Sequence, residues 1–156
     1  MSDLGKMIAI AATRHEGQYD KGGNPYILHP LKVMHYTLSE DPEVQMIAVG
    51  HDLVEDTDVT LEYLESLGFT DRVIDGIDAV SRREFIIDGE VVLEDKEVYR
   101  ERVKQNRDAI IVKMADLRHN TDVRRLKGLT EKDFKRMEDY QRFYAELKAI
   151  RLKEGY

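Results

Sequence analysis

One short segment of the sequence concentrates side chains that could bind a metal ion and move protons. It reads Val44-Gln45-Met46-Ile47-Ala48-Val49-Gly50-His51-Asp52-Leu53-Val54-Glu55-Asp56. On a continuous helix His51, Asp52, Glu55 and Asp56 would share one wall, and apolar residues would fill most other directions. A helix that is apolar on nearly every side is buried, and buried carboxylates need a compensating charge, which a divalent cation would supply. The alternative is a helix end that surfaces with solvated acids, although acids at a helix C-terminus oppose its dipole.

Two further segments hold side chains of the same kind. Asp116 lies in a second largely apolar helix, and Asn120 follows it by one turn on the same face. His29 directly precedes Pro30, a residue favoured in the first turn of a helix, so its side chain is held at a helix entrance. Each residue taken singly is as well explained by a core or capping role, and each becomes a candidate ligand beside another metal cluster.

Taken in order along the chain, these segments resemble the motifs of a known family. His29, the pair His51-Asp52 and Asp116 are similar to the metal-binding set of the HD superfamily of phosphohydrolases. Segments 17–30, 51–57 and 112–120 resemble, more narrowly, the RelA/SpoT hydrolase domain, and the resemblance extends from about residue 5 to 150. Small single-domain alarmone hydrolases such as the metazoan SpoT homologue are the members that the chain resembles most.

The resemblance implies roles for individual residues. One divalent ion, manganese in that family, would bind His29, His51, Asp52 and Asp116. The attacking water would be oriented or deprotonated by Glu55 and Asp56. The substrate-binding residues would be Lys21 near phosphate, Asn120 near the nucleoside, and Arg136 and Tyr140 in the last helix.

The activity that the resemblance implies is hydrolysis of the alarmone (p)ppGpp, the signal of the stringent response, to pyrophosphate and GDP or GTP. Two departures leave the substrate open. Asp20 stands where bifunctional relatives are basic and would weaken the positive field for an anionic nucleotide, and Arg118 lies one position beyond its place in the family block. Another phosphohydrolase activity, on the 2′-phosphate of NADPH or on a nucleoside phosphate, is therefore an alternative. A non-catalytic nucleotide-sensing module is a second alternative, which the intact acidic pair argues against.

The elements that must position these residues are mostly helical. Apolar periodicity, prolines and capping residues predict helices at residues 3–16, 30–38, 42–55, 60–67, 70–80, 96–105, 108–126 and 131–153. Two β-prone runs flank Asp88-Gly89, which predicts a β-hairpin at residues 85–93 that lies on the helical body. The predicted fold class is all-α, an HD-type helical bundle with a small β-hairpin.

Length and composition limit the remaining possibilities. The 156 residues are 35% charged, carry a formal net charge of −7 and include no cysteine. The length predicts one hydrolase domain over residues 1–156, with no room for a synthetase domain. The acidic balance argues against a nucleic-acid partner, and the missing cysteine excludes thiolate sites and disulfides. A membrane span needs about 18 consecutive apolar residues, and the sequence contains no such run, so we expect no membrane partner. We expect a cytoplasmic enzyme whose oligomeric state the sequence does not define.

Overall fold

Helices make up most of residues 2–156, the part of the chain that the computed structural model describes. In chain order they are α1 (Asp3–Arg14), α2 (Leu28–Tyr36), α3 (Pro42–Gly50), α4 (Leu53–Asp56), α5 (Leu61–Ser66), α6 (Asp71–Val80), α7 (Lys96–Lys104), α8 (Arg107–Asn120) and α9 (Glu131–Glu154). Strands β1 (Glu84–Ile87) and β2 (Glu90–Leu93) form one antiparallel pair between α6 and α7. The predicted fold class, helical with a small hairpin, is confirmed.

Helix α3 lies at the centre of the bundle. It packs against α1, α2, α6 and α8, and all its residues from Met46 to Gly50 are buried. The close approach of α6 depends on Gly76, where an added Cβ would lie 2.8 Å from Cγ1 of Ile47. The helix that carries the central motif is therefore buried, as its apolar pattern predicts.

The prediction of one continuous helix over residues 42–55 is wrong, and the break falls at the motif. Helix α3 ends at Gly50, His51 and Asp52 form a turn, and α4 resumes at Leu53. The Nδ1 of His51 donates to the carbonyl of Ala48 at 2.7 Å. In an unbroken helix that carbonyl would accept from the amide of Asp52, so a side chain here competes with the backbone for it. The break gives His51 and Asp52 directions that a regular helix would not.

Helix α8 is also shorter than predicted, because it ends at Asn120 and not near residue 126. The Thr121 hydroxyl donates to the Leu117 carbonyl at 2.9 Å, and a short 3-10 turn follows at Val123–Arg125. The chain therefore folds back, so that the guanidinium of Arg125 lies 3.0 Å from the side-chain oxygen of Asn120.

The hairpin forms at the predicted place but projects from the bundle. Asp88 and Gly89 both have positive φ angles, 52° and 79°, as the tightest two-residue hairpin turns require. All eight strand residues are exposed, so the expectation that the strands lie on the helical body is wrong. Only the base is anchored, through Glu94, which is buried and lies 2.7 Å from Arg102.

Within residues 2–156, every helix is too short or too polar to cross a membrane.

Candidate functional site

Four side chains converge where α2, α8 and the turn after α3 meet. His29, His51 and Asp116 are buried, and their ligand atoms all lie within 4.8 Å of one another. The Nε2 atoms of His29 and His51 lie 3.0 Å and 3.4 Å from Asp116 Oδ1. Asp52 Oδ2 lies 3.0 Å from His51 Nε2 and 3.5 Å from His29 Nε2. Two ligand atoms each about 2.1 Å from one ion are separated by roughly 3.0–3.5 Å at ordinary bond angles, so these spacings suit a shared metal.

Both imidazoles aim one nitrogen into this cluster. His51 Nδ1 is occupied by the Ala48 carbonyl, so its buried Nε2 is an acceptor, and it has no hydrogen-bond partner among residues 2–156. His29 Nδ1 shares a 2.7 Å hydrogen bond with Nδ1 of His119. The Nε2 of His51 faces carboxylate oxygens, so either a proton or a metal ion must lie between them. The donor set therefore fits a divalent metal ion, with the outer nitrogens fixing the ring orientations.

The charged groups of the cluster shift one another's pKa values. Burial opposes ionisation of Asp52, but the adjacent His51 outweighs it and lowers the pKa of Asp52 to about 2. Burial likewise opposes charge on His51, while Asp52 and Asp116 raise its pKa well above the usual value. The pKa of Asp116 falls well below its usual range, because Lys113 and the imidazoles outweigh burial. Both carboxylates are thus anionic at neutral pH, the form that binds metal.

Tyr26 connects the cluster to Asp56. Its hydroxyl donates to Asp52 Oδ2 at 2.6 Å and lies 3.4 Å from Asp56 Oδ2. Burial and the negative charge of Asp52 raise the pKa of Tyr26, so this hydroxyl keeps its proton. Burial also raises the pKa of Asp56. The side-chain amide of Gln18 joins Asp56 to His15. Its Nε2 donates to the backbone carbonyl of Asp56 at 2.7 Å, and its Oε1 lies 2.8 Å from Nδ1 of the buried His15.

Glu55 lies on α4 in the wall of a cleft. Its side chain is open to solvent along the cleft, and its carboxylate accepts a hydrogen bond from the backbone N–H of Arg82. The pKa of Glu55 is raised to about 7, mainly because the cleft walls enclose the carboxyl group. The hydrogen bond from Arg82 lowers this pKa, and the negative charge of Asp52 raises it further. A carboxyl group with a pKa near 7 can accept and return a proton at physiological pH.

Two side chains of α8 hold the carboxylate of Asp116. Asn120 Nδ2 donates to Oδ1 at 2.9 Å, and Lys113 Nζ donates to Oδ2 at 2.9 Å. Burial disfavours charge on Lys113, but Asp116 more than compensates and raises the pKa of Lys113 well above its usual value. Lys113 is therefore a charged ammonium group beside the cluster.

The loop before α2 lines a cavity of about 290 Å³, called here the loop cavity. Its walls are Tyr19, Asp20, Lys21, Tyr26, Asn120, Asp122, Arg125, Leu126, Arg136 and Tyr140. The carboxylate of Asp20 accepts from the backbone N–H of Asn24 at 2.9 Å and lies 3.5 Å from Arg125. Although burial opposes it, these partners lower the pKa of Asp20. Asp20 thus fastens the loop, and Arg125 offsets the negative charge that the sequence alone leaves exposed to a nucleotide.

A second cavity, of about 540 Å³, is lined mainly by α7, α8 and α9 and is called here the basic cavity. Glu55 and Lys113 lie in its wall. Arg136 and Tyr140, the two predicted substrate contacts of the last helix, line both cavities. The structure therefore places nine of the ten predicted site residues in the cluster or in the walls of the two cavities, and the tenth, Asp56, is linked to the cluster through the hydroxyl of Tyr26.

Four residues of the site escape the sequence reasoning or are left undecided by it. Tyr26 and Lys113 lie inside the motif segments. Lys113 and Asp116 are three residues apart on one helix, and this spacing indicates that the two side chains pair. His119 pairs with His29, which its sequence position alone leaves undecided. His15, which lies outside the motif segments, is buried, and its ring lies 5.1 Å from the ring of Tyr26.

A helical domain in which a His-Asp turn joins a histidine and an aspartate from two other helices is a domain of the HD type. A solved structure described as a metazoan ortholog of SpoT that hydrolyzes ppGpp shares this fold, with a TM-score of 0.69, 24% identity, and coverage of 99% of this chain and 97% of that one. No protein-family model matches the chain.

Curated relatives identify the family. A guanosine-3′,5′-bis(diphosphate) 3′-pyrophosphohydrolase of Haemophilus influenzae is 33% identical over 115 residues, which are 71% of this chain and 17% of that protein. The bifunctional (p)ppGpp synthase/hydrolase SpoT of Escherichia coli is 32% identical over 116 residues, 71% of this chain and 16% of that protein. A GTP pyrophosphokinase of Streptomyces coelicolor is 35% identical over 143 residues, 88% of this chain and 16% of that protein.

The chain belongs to the RelA/SpoT family, and its fold is of the HD type. It spans about a sixth of the length of these curated relatives.

Proposed function

We propose that this domain is a metal-dependent hydrolase that removes the 3′-pyrophosphate of (p)ppGpp and leaves GDP or GTP. The observation that carries the proposal is the convergence of two imidazoles and two carboxylates beside Glu55, a carboxyl group with a pKa of about 7. The curated names of the Haemophilus influenzae and Escherichia coli relatives support the choice of substrate. A guanine nucleotide as the partner and a cytoplasmic location are parts of the same proposal.

The metal site of the proposal uses four side chains. His29, His51, Asp52 and Asp116 would hold one divalent cation, and the family resemblance favours Mn²⁺. When bound, such an ion supplies Lewis acidity, which acidifies water and offsets charge on a phosphoryl oxygen. Lys113 and Asn120 keep Asp116 in place through one hydrogen bond to each of its oxygens.

The acidic pair would carry the protons. Near neutral pH Glu55 is poised to take a proton from the attacking water, because its pKa is about 7. Asp56, whose pKa burial also raises, would orient that water together with Glu55, and the proton that Glu55 takes can return to the departing ribose oxygen. In the loop cavity Lys21 would offset phosphate charge and Asn120 would lie beside the nucleoside, and Arg136 and Tyr140 would also contact the substrate there.

The test is a substrate panel read by product identity. Manganese-loaded protein is incubated with guanosine tetraphosphate, pentaphosphate, GTP and NADPH, and the products are separated by ion-exchange chromatography. We expect pyrophosphate with GDP or GTP from the two alarmones. No pyrophosphate from the tetraphosphate, under conditions where a control hydrolase releases it, would refute the proposal, and phosphate from NADPH alone would favour the other phosphohydrolase activity.

A double substitution tests the roles of the acids. Glu55→Gln/Asp56→Asn should abolish turnover and leave Mn²⁺ binding intact, because neither residue belongs to the metal cluster. The matched control, Glu62→Gln/Glu65→Gln, removes two exposed acids from α5 and should retain full activity. Turnover that survives in the first variant would remove Glu55 and Asp56 from the mechanism.

A further inference from the structure

The basic cavity carries an excess of positive charge in a protein that is negative overall. Its walls contain two acids, Glu55 and Asp139, and six basic residues: Arg82, Lys96, Arg100, Lys113, Lys135 and Arg136. The whole chain has a net charge of −7, so this concentration of cations is local. A cleft lined by one sign of charge attracts and holds ions of the other sign.

Two cations of the basic cavity, Arg100 and Lys96, are held in place before any ligand arrives. Arg100 is buried, and its guanidinium lies over the ring of Phe143 at 4.8 Å. Asp139 lies 2.8 Å from Arg100 and 2.5 Å from Lys96, so one acid aligns two cations. Lys135 makes no ion pair or side-chain hydrogen bond with any of residues 2–156, so its ammonium is available to an anion. Ordered cations lose little conformational freedom when they bind a ligand.

The metal cluster lies between the basic cavity and the loop cavity. Asp116 Oδ2 is held by Lys113, which lines the basic cavity, and Asp116 Oδ1 is held by Asn120, which lines the loop cavity. The two cavities also share Arg136 and Tyr140. A ligand centred on the cluster can therefore extend into both cavities.

The two cavities differ in the chemistry that they offer. The loop cavity has the aromatic rings of Tyr19, Tyr26 and Tyr140, the amide of Asn120, and a nearly balanced set of charges, which suits a nucleoside. The basic cavity offers mainly ammonium and guanidinium groups, which suit phosphate oxygens.

We propose that the basic cavity binds the outer phosphate of the departing pyrophosphoryl group, and that it makes the site selective for pyrophosphate esters over phosphate monoesters. This inference rests on the proposed function. In that reaction the water oxygen forms a bond to the phosphorus attached to the ribose 3′ oxygen, and the bond between that phosphorus and the 3′ oxygen breaks. The 3′ oxygen gains a proton, the nucleoside diphosphate stays on the side of the loop cavity, and pyrophosphate leaves from the basic cavity. A substrate with a single phosphate on the 3′ oxygen has no outer phosphate to place in the basic cavity, so the cations of this cavity do not contribute to its binding.

A binding experiment tests the cavity without turnover. Metal-free, ¹⁵N-labelled protein in EDTA is titrated with inorganic pyrophosphate and with orthophosphate at constant ionic strength. We expect pyrophosphate to shift the amide resonances around Lys96, Arg100 and Lys135 and to bind at least about tenfold more tightly than orthophosphate. Lys96→Gln/Lys135→Gln should weaken pyrophosphate binding at least about tenfold. The control Lys148→Gln/Lys153→Gln removes two exposed lysines of α9 outside both cavities and should leave it unchanged. Equal weakening in both variants, or shifts confined to the loop cavity, would overturn the inference.

A kinetic experiment separates this inference from the proposed function. The ratio of kcat/KM for guanosine 5′-diphosphate 3′-diphosphate to that for the 3′-monophosphate analogue is measured in manganese-loaded protein. Lys96→Gln/Lys135→Gln should reduce the ratio at least about tenfold. An unchanged ratio would overturn the selectivity while leaving the hydrolase activity standing. Pyrophosphate binding without any turnover of the alarmones would instead refute the proposed function and leave the anion site standing.

Discussion

Replacing Tyr26 by phenylalanine removes one hydroxyl and tests how the cluster is held. That hydroxyl donates to Asp52 Oδ2 at 2.6 Å, within the range of short charge-assisted hydrogen bonds. Such a bond to a charged group contributes about 1.5–3 kcal/mol, equivalent to roughly 10- to 150-fold in an equilibrium constant. Outer partners of metal ligands usually affect metal affinity by about 10- to 100-fold. We therefore expect Tyr26→Phe to weaken Mn²⁺ binding by about 10- to 100-fold.

The assay is a competition titration of Mn²⁺ against a chromophoric chelator at pH 7.5, with circular dichroism to verify the fold. Tyr144→Phe is the matched control, because the Tyr144 hydroxyl makes no hydrogen bond to any of residues 2–156 and lies outside the cluster. The control should bind Mn²⁺ like the wild type. A folded Tyr26→Phe protein whose Mn²⁺ affinity stays within about twofold of the wild type would refute the reasoning, since Asp52 would then hold its position without the tyrosine.

Three further predictions concern protons, the metal and packing. If Glu55 is the base, kcat/KM should rise about tenfold per pH unit below its pKa of about 7 and level off above it. Glu55→Gln should lower the activity by about 10²- to 10⁴-fold and abolish this rise with pH. If the rise persists in the variant, a group other than Glu55 is responsible for it. Mn²⁺ at 100 times its Kd should stabilise the fold by about 2.7 kcal/mol, so EDTA should lower the Tm of the wild type and have little effect on Asp116→Asn; equal shifts in both would place the ion elsewhere. Gly76→Ala should cost about 1–3 kcal/mol in urea unfolding, because the new Cβ would press on Ile47, whereas Gly128→Ala meets no atom within 4 Å and should change stability little.

The sequence could predict which residues meet but not how the backbone presents them. His29, His51 and Asp116 come from three segments whose order and residue types match one metal-binding family, so their convergence follows from the resemblance. The break after Gly50 does not follow from helix propensity. It depends on the imidazole of His51 taking the Ala48 carbonyl, a local competition that a count of apolar positions cannot register.

For the hairpin, too, the sequence predicts the local structure but not its tertiary placement. Asp88-Gly89 between two β-prone runs is a strong local signal, because both positions adopt the positive φ that the turn requires. Whether the strands pack against helices depends on tertiary contacts, and here they project with both faces exposed. The turn was therefore predictable from four or five residues, and the position of the strands was not.

The net charge of −7 argues against a nucleic-acid partner but not against a phosphorylated ligand, because the charges are paired locally. Many acids are already engaged far from the site, as where Arg72 lies within 2.9 Å of Asp41, Glu43 and Asp108. Asp20, the acid that most weakens the expected substrate site, is paired with Arg125. Fields of exposed charges fade over a Debye length of about 8 Å at physiological ionic strength, so a bound phosphate responds to the cations that line its cavity more than to the chain total. A domain that is acidic overall can thus present a cationic pocket to pyrophosphate, and the order of charges around Asp116 is a better guide to the ligand than the sum over the sequence.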